Sequence, residues 1–251
     1  QEVQAYLEDA GCKMTFLRRA LDDLDPTPCG KCSSCLGRAV INTPIDPALA
    51  HSAGTFLKHA EMVIIPKAQV AANAFLEYGY RGNLPQQLRA QEGRVLSRWG
   101  DAGWGRTVAD NKHAGRFSDE LVEAMAEMIQ QRWQPGPAPQ WVCCVPSRNH
   151  PELVPDFASR LAARLGLPFV DAISKVKDNQ PQKGQQNRFH QCRNLDGAFT
   201  VTQLYQGQPV LLVDDIVDSG WTLTVIAALL QQAGSGVVYP VALASSSVKD
   251  S

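Results

Sequence analysis

The chain has 251 residues, of which 44% are hydrophobic and 20% charged, enough to bury a core and too apolar for a disordered polymer. Wholly apolar runs are short, Val210–Val213 being typical, which excludes a bilayer-spanning helix and leads us to expect no membrane partner. Twenty-four basic and 25 acidic side chains leave a net charge of −1, which speaks against a uniformly basic nucleic-acid binder. The distribution is less even. Residues 81–116 hold seven basic side chains against three acids, and residues 175–193 hold five against one, so each stretch nets +4 and suits either phosphates or a solvated face. No basic-then-apolar leader opens the chain, which starts at Gln1, and we read it as the tail of a longer polypeptide.

Seven cysteines are present, four of them near the start: Cys12 stands alone, and Cys29, Cys32 and Cys35 follow as C-x2-C-x2-C. Four soft sulfurs gathered in this way suit a tetrahedral Zn2+ with no open position for catalysis, and a disulfide framework is the rival reading. Between the first thiol and the rest, Met14, Leu17, Leu21 and Leu24 recur at helical steps that Asp25-Pro26 stops. The text N-T-P-I-D-P over 42–47 reads as a linker, and 61–66 as a short strand.

The next stretch is the hardest to read. Residues 84–99 form a predicted helix with Leu88, Leu96 and Trp99 inward, and the run W-G-D-A-G-W-G-R over 99–106 breaks it. Trp99 or Trp104 beside Arg98 and Arg106 suits stacking on a base; equally, both indoles suit core anchors around a glycine turn. For DNA contact the expected residues are Arg94, Arg98, Arg106, Lys112 and Arg116.

From Ser118 onward the pattern is α/β. Ser118 is a predicted N-cap with Asp119 and Glu120 in the first turn, and Leu121, Met125, Met128, Ile129 and Trp133 make a helical stripe ended by 134–137. A buried strand over 141–145, a helix over 155–165, strands over 169–173 and 210–213, a helix over 222–232 and a strand over 237–243 follow. Short apolar strands alternating with helices predict a largely parallel sheet covered on both faces. Cys143 and Cys144 lie in one of those strands as small hydrophobes, and Cys192 lies near Arg188 and Arg193 without a placed base.

The sharpest signal is the run V-L-L-V-D-D-I-V-D-S-G-W-T over 210–222. A buried strand delivers Asp214 and Asp215 near its carboxyl end, and a turn through Asp218, Ser219 and Gly220 enters a helix at Trp221 and Thr222. Free N–H groups at a helix start hold an anion, and carboxylates beside them suit ribose hydroxyls. The arrangement fits a sugar phosphate.

Two resemblances follow from these residues. The pattern C-x16-C-x2-C-x2-C, with PCGKCSSC as its second half, resembles the zinc-binding subdomain of RecQ-family DNA helicases over roughly residues 1–38. It implies structural Zn2+ on Cys12, Cys29, Cys32 and Cys35, an ATPase motor upstream in the same polypeptide that alone would use ATP, a DNA partner, and a bacterial, cytoplasmic, nucleoid-associated location. The 210–222 run resembles the PRPP-binding motif of type I phosphoribosyltransferases. It implies that Asp214 and Asp215 bind ribose hydroxyls directly or through Mg2+, and that Asp218, Ser219, Gly220, Trp221 and Thr222 bind the 5′-phosphate of PRPP or a nucleotide. Ser147 and Arg148 would sit in the pyrophosphate loop. Residues 175–199, with Lys175, Lys177, Gln182, Arg193 and Asn194, look like the flexible loop of the ComF-type branch.

The expected architecture is α/β: a helical zinc module over 1–41, a winged-helix-like or irregular α+β DNA-binding segment over 48–116, and a phosphoribosyltransferase-like parallel sheet over 117–251. The expected function is the C-terminal accessory region of a RecQ-like helicase in DNA repair or recombination. The alternatives are a free-standing phosphoribosyltransferase acting on a nucleobase, or a ComF-like DNA-uptake protein.

Overall fold

The computed structural model describes residues 2–24, 26–41, 45–60, 62–177 and 188–247. The sequence readings at Asp25, over 42–44, at Asp178, Gln182 and Lys183, and for the Arg188 side chain lie outside what is described. The chain divides into two compact units, Gln1–Ala50 and His51–Ser251.

The first unit contains α1 (Glu2–Glu8), α2 (Lys13–Ala20) and the single turn α3 (Ser33–Leu36). Helix α2 ends near Leu21, and Asp22 takes a left-handed φ of 59°, so the helix stops before the expected Asp25-Pro26. The apolar stripe does not form a core. Met14 is 45% exposed, Leu17 40%, Leu21 81% and Leu24 100%, and no described residue of the first 50 is buried. A unit this small cannot enclose an interior from its own side chains and needs another staple.

The second unit is an α/β fold on a mixed five-stranded sheet. The division falls within α4 (Pro47–His59), and the elements that follow it are β1 (Met62–Ile64), a 3-10 turn (Gln86–Leu88), β2 (Gly93–Arg98) and α5 (Gly105–Ala114). Then come α6 (Asp119–Glu127), a π-helical turn (Met128–Trp133), β3 (Trp141–Cys144), α7 (Leu153–Leu165), β4 (Ile173–Lys175), α8 (Arg188–Leu195) and β5 (Phe199–Val201). The long strand β6 (Val210–Val217), α9 (Trp221–Gln232) and β7 (Val238–Ser245) complete it. The order is β1-β2-β7-β6-β3, antiparallel only between β1 and β2, with β4 and β5 forming a separate two-stranded ribbon.

Period-two alternation sorts the core. Val210 and Leu212 of β6 join Trp141 and Cys143 of β3 on the face covered by α9, while Leu211 and Val213 join Val142 and Cys144 against α6 and α7. Helix α9 is apolar nearly all round because it is sandwiched, eight of its residues being buried.

Of the two expectations for residues 48–116, the irregular α+β one describes the segment. The expected helix over 84–99 is replaced by the 3-10 turn and β2, which lies inside the sheet between β1 and β7. Val95 and Leu96 are buried on opposite faces, a run that periodicity alone cannot tell from a helix. Gly93 permits the approach: a Cβ there would meet the Pro240 carbonyl oxygen at 2.2 Å.

The expected strand over 169–173 is likewise corrected. Phe169 makes an isolated bridge to Val142, and the ladder begins at Ile173. Ser118 precedes α6 with extended backbone, but its hydroxyl makes no capping bond; its N–H donates to Asn111 Oδ1 at 2.6 Å instead. No described helix is long and apolar enough to cross a membrane.

Candidate functional site: a helix-start cavity and a four-cysteine cluster

Strand β6 runs four residues further than expected, to Val217, so Asp214 and Asp215 lie within the ladder, with Asp214 opposite Ala242 of β7. Successive strand residues point to opposite faces, and the two acids part accordingly. Asp214 lines a small cavity of ≈ 80 Å³ together with residues 216–223; Asp215 does not.

The cavity is shaped by the turn into α9. Gly220 holds φ 77°, ψ 4° immediately before Trp221, a left-handed conformation that glycine reaches without strain. Its carbonyl accepts from the Thr224 N–H and hydroxyl, both at 3.0 Å, which fixes the first turn. The N–H groups of that turn have no intrahelical acceptors and present partial positive charge to the cavity. Trp221, bulky in sequence, is 4% exposed and belongs to the core beneath the turn. Asp218 is exposed at the rim.

The acids are electrostatically distinct. Burial pushes the Asp214 carboxyl well above the usual carboxylate range and the neighbouring Asp215 charge pushes the same way, against the Asp215 N–H at 2.9 Å and the Lys112 amine. Asp215 accepts the Lys112 amine on Oδ2 at 2.5 Å and the Ile216 N–H on Oδ1 at 2.7 Å. Sequence reasoning did not connect Lys112 with this site, since 103 residues separate the partners.

Around the same sheet edge, Val145 N–H donates to the Val213 carbonyl at 2.9 Å, so the turn carrying Ser147 and Arg148 leaves the sheet one strand from Asp214. Ser147 Oγ accepts the His150 N–H at 3.3 Å, and Arg148 donates to the Lys175 carbonyl at 3.2 Å. Lys177 pairs with Glu77, and Arg193 on α8 reaches Asp196 at 3.4 Å. Burial raises the Cys144 thiol to about 12 and Cys143 upward too, and Cys192 is 0% exposed, so these three sulfurs are packing groups.

The five cations expected to face DNA do not share one environment. Arg94 pairs with Glu92 at 2.7 Å and stacks over Trp133, and Lys112 is held by Asp215. Arg98 ends β2, Arg106 lies exposed on α5 with Asp110 at 4.0 Å, and Arg116 stands 3.6 Å from Asp119. Trp104 caps α5, its N–H donating to the Lys58 carbonyl at 3.2 Å with the Lys58 amine 4.3 Å above its ring, while Trp99 is 37% exposed.

In the first unit, the sulfurs of Cys12, Cys29, Cys32 and Cys35 all lie within 4.8 Å of one another and could hold a metal ion. None is in a disulfide. The Cys12–Cys32 separation is 3.9 Å, close to the ~3.8 Å that a tetrahedron of 2.3 Å zinc–sulfur bonds requires. Backbone N–H groups already point at sulfur: Cys29 N–H to Cys12 at 3.2 Å, and Lys31 and Cys32 N–H to Cys29 at 3.4 and 3.3 Å. Hydrogen bonding, chiefly from Thr15, lowers Cys12 to about 5; the Cys32 side chain raises Cys35 to about 11.

Comparison with known proteins bears on the second unit. Residues 154–247 match the phosphoribosyl transferase domain. That stretch carries a phosphoribosyl transferase domain. It takes in α7, β6, the turn into α9, and β7, hence the whole cavity. Among solved structures, the adenine phosphoribosyltransferase of Leishmania tarentolae is 16% identical, with a TM-score of 0.36 over 55% of this chain and 74% of its own. The Saccharomyces cerevisiae adenine phosphoribosyltransferase is 15% identical, with a TM-score of 0.36 over 77% and 90%. That of Thermoanaerobacter pseudethanolicus is 14% identical, with a TM-score of 0.34 over 77% and 98%. No curated protein matches the chain in sequence.

Proposed function

We propose that the phosphoribosyl transferase domain binds a phosphorylated ribose of the PRPP or nucleotide class, its 5-phosphate seated on the turn 218–222 and its hydroxyls facing Asp214. The observation that supports this most directly is the coincidence of the cavity with the strand–Gly220–helix turn inside the matched domain. Phosphoribosyl transfer requires no nucleophilic side chain; positioning and exclusion of water suffice. Titration calorimetry with PRPP and Mg2+ tests the reading. Saturable one-site binding that Asp214→Asn weakens supports it, and a flat trace at millimolar PRPP refutes it.

A second reading concerns the rest of the chain. We propose that the four cysteines hold a structural Zn2+ in a RecQ-type module, and that the chain is the C-terminal accessory region of a DNA helicase. The gathered sulfurs at C-x16-C-x2-C-x2-C spacing, in a unit none of whose described residues is buried, favour it. DNA would meet the exposed cations Arg106 and Arg116, with Arg98 at the end of β2. If reversing these three charges leaves DNA affinity at low salt unchanged, the DNA part of this reading is wrong.

A further inference from the structure

The four clustered sulfurs are not equally sheltered. Cys12, Cys29 and Cys32 are half-buried, whereas Cys35 is exposed. Backbone donors also cover two of the sheltered sulfurs: Cys12 accepts the Cys29 N–H at 3.2 Å, and Cys29 accepts the N–H groups of Lys31 and Cys32 at 3.4 and 3.3 Å. In a four-sulfur zinc site every ligand is a thiolate, so access from solvent, not proton affinity, decides which sulfur a small oxidant meets first.

Cys35 has a partner at hand. Cys32 stands at the N-cap of the single turn α3 and Cys35 within it, and Gly37 ends the turn in a left-handed conformation at φ 62°. Side chains three apart on a helical turn stand about 5–6 Å apart at Cβ, and a disulfide accepts Cα separations of about 4.4–6.8 Å, so this pair can bond with a small adjustment of the turn. All four sulfurs lie within 4.8 Å of one another, which keeps Cys32 within reach of an oxidised Cys35. Cys12, at the start of α2, is the rival partner, its sulfur 3.9 Å from that of Cys32.

We propose that Cys35 is an oxidation site that opens the four-cysteine cluster: a hydroperoxide oxidises Cys35, and Cys32 then closes on it as a disulfide. This rests on the structural-zinc reading above and adds redox control to that site. In the first step the Cys35 thiolate forms an S–O bond as the O–O bond of the peroxide breaks. Sulfur gives up two electrons, and the second oxygen leaves as hydroxide. In the second step the Cys32 thiolate forms the S–S bond and expels hydroxide from Cys35. Together, two thiolates and one hydrogen peroxide give one disulfide and two hydroxides. The two thiolates left, Cys12 and Cys29, are too few to retain the ion, and a unit none of whose described residues is buried loses its staple. A thiol reductant returns the two electrons and restores the site.

The test uses the full chain, loaded with zinc, freed of reductant under nitrogen and treated with hydrogen peroxide. A coloured chelator reads zinc release, and peptide mass mapping locates the disulfide. The wild type is expected to release its zinc with the loss of about two thiols per ion, with the bond at Cys32–Cys35, and to rebind zinc after dithiothreitol. Cys143, Cys144 and Cys192 are buried and stay reduced as internal controls. Cys35→His keeps four ligands, three cysteines and one histidine, but has no sulfur to oxidise at that position; its zinc should leave about tenfold more slowly. If this variant takes up no zinc, the wild-type mass map decides alone. A first bond between any other pair, Cys35 still reduced after zinc has left, or equal release rates for Cys35→His overturns the proposal and leaves the zinc reading standing. Zinc retained with every thiol intact at millimolar peroxide does the same. A wild type that takes up no zinc overturns both.

Discussion

Tyr78 and Phe199 hold each other twice: the Tyr78 hydroxyl donates to the Phe199 carbonyl at 2.8 Å and accepts the Phe199 N–H at 2.7 Å. Alongside, the Asp196 carboxylate accepts the N–H groups of Leu76, Glu77 and Tyr78 at 2.9 to 3.2 Å. Together they moor the long connection between β1 and β2 to the segment joining α8 and β5. The Asp196 side chain is 2% exposed, so its loss strands several donors away from water. Asp196→Ala is expected to destabilise the second unit by about 3 kcal/mol or more, and Tyr78→Phe by about 1–2 kcal/mol, in denaturant unfolding.

Little of that mooring could be read in the sequence, because Asp196 and its three N–H partners lie 118 to 120 residues apart. The turn at 214–222 was legible because its chemistry is local: a run of apolar residues, then acids, then Ser219-Gly220 before an apolar helix. Strand β2 was not. Its neighbours on both sides bury Val95 and Leu96 alike, which removes the alternation that marks a half-buried strand, and Leu88, Leu96 and Trp99 then imitate helical spacing. The Lys112–Asp215 pair was equally hidden, since nothing in a run of basic residues says which one turns inward.

Asp214 makes stability depend on pH in a direction opposite to that of a salt-bridged carboxylate. Its folded form is raised above the unfolded value near ~4, so between the two values the folded state binds the extra proton and stability falls as pH rises. Asp214→Asn removes this dependence. Thermal unfolding from pH 4 to 8 should show the variant gaining on the wild type as pH increases, even as its affinity for ligand drops.

Gly105 links packing to the site. A Cβ there would stand 1.7 Å from the Arg98 carbonyl oxygen, a clash with backbone that side-chain rotation cannot relieve. Gly105→Ala is expected to cost about 3 kcal/mol and to displace α5, carrying Lys112 away from Asp215. Denaturant unfolding of the variant against the wild type gives the first effect.

The first unit depends on its sulfurs. With no buried described side chain in 1–50, its order is expected to vanish when the proposed metal is withheld. Elemental analysis should find about one zinc per chain. Cys32→Ser or a strong chelator should release it and expose residues 1–41 to proteolysis, while 154–247 stays protected.

Hydrogen–deuterium exchange with and without ribose 5-phosphate locates the ligand as well as detecting it. A sugar phosphate seated on the turn into α9 slows exchange chiefly at the amides of residues 217–224. Slowing confined to another part of the molecule, such as the separate cavity lined by 169–171 and 203–205, or no change at saturating ligand, would contradict it.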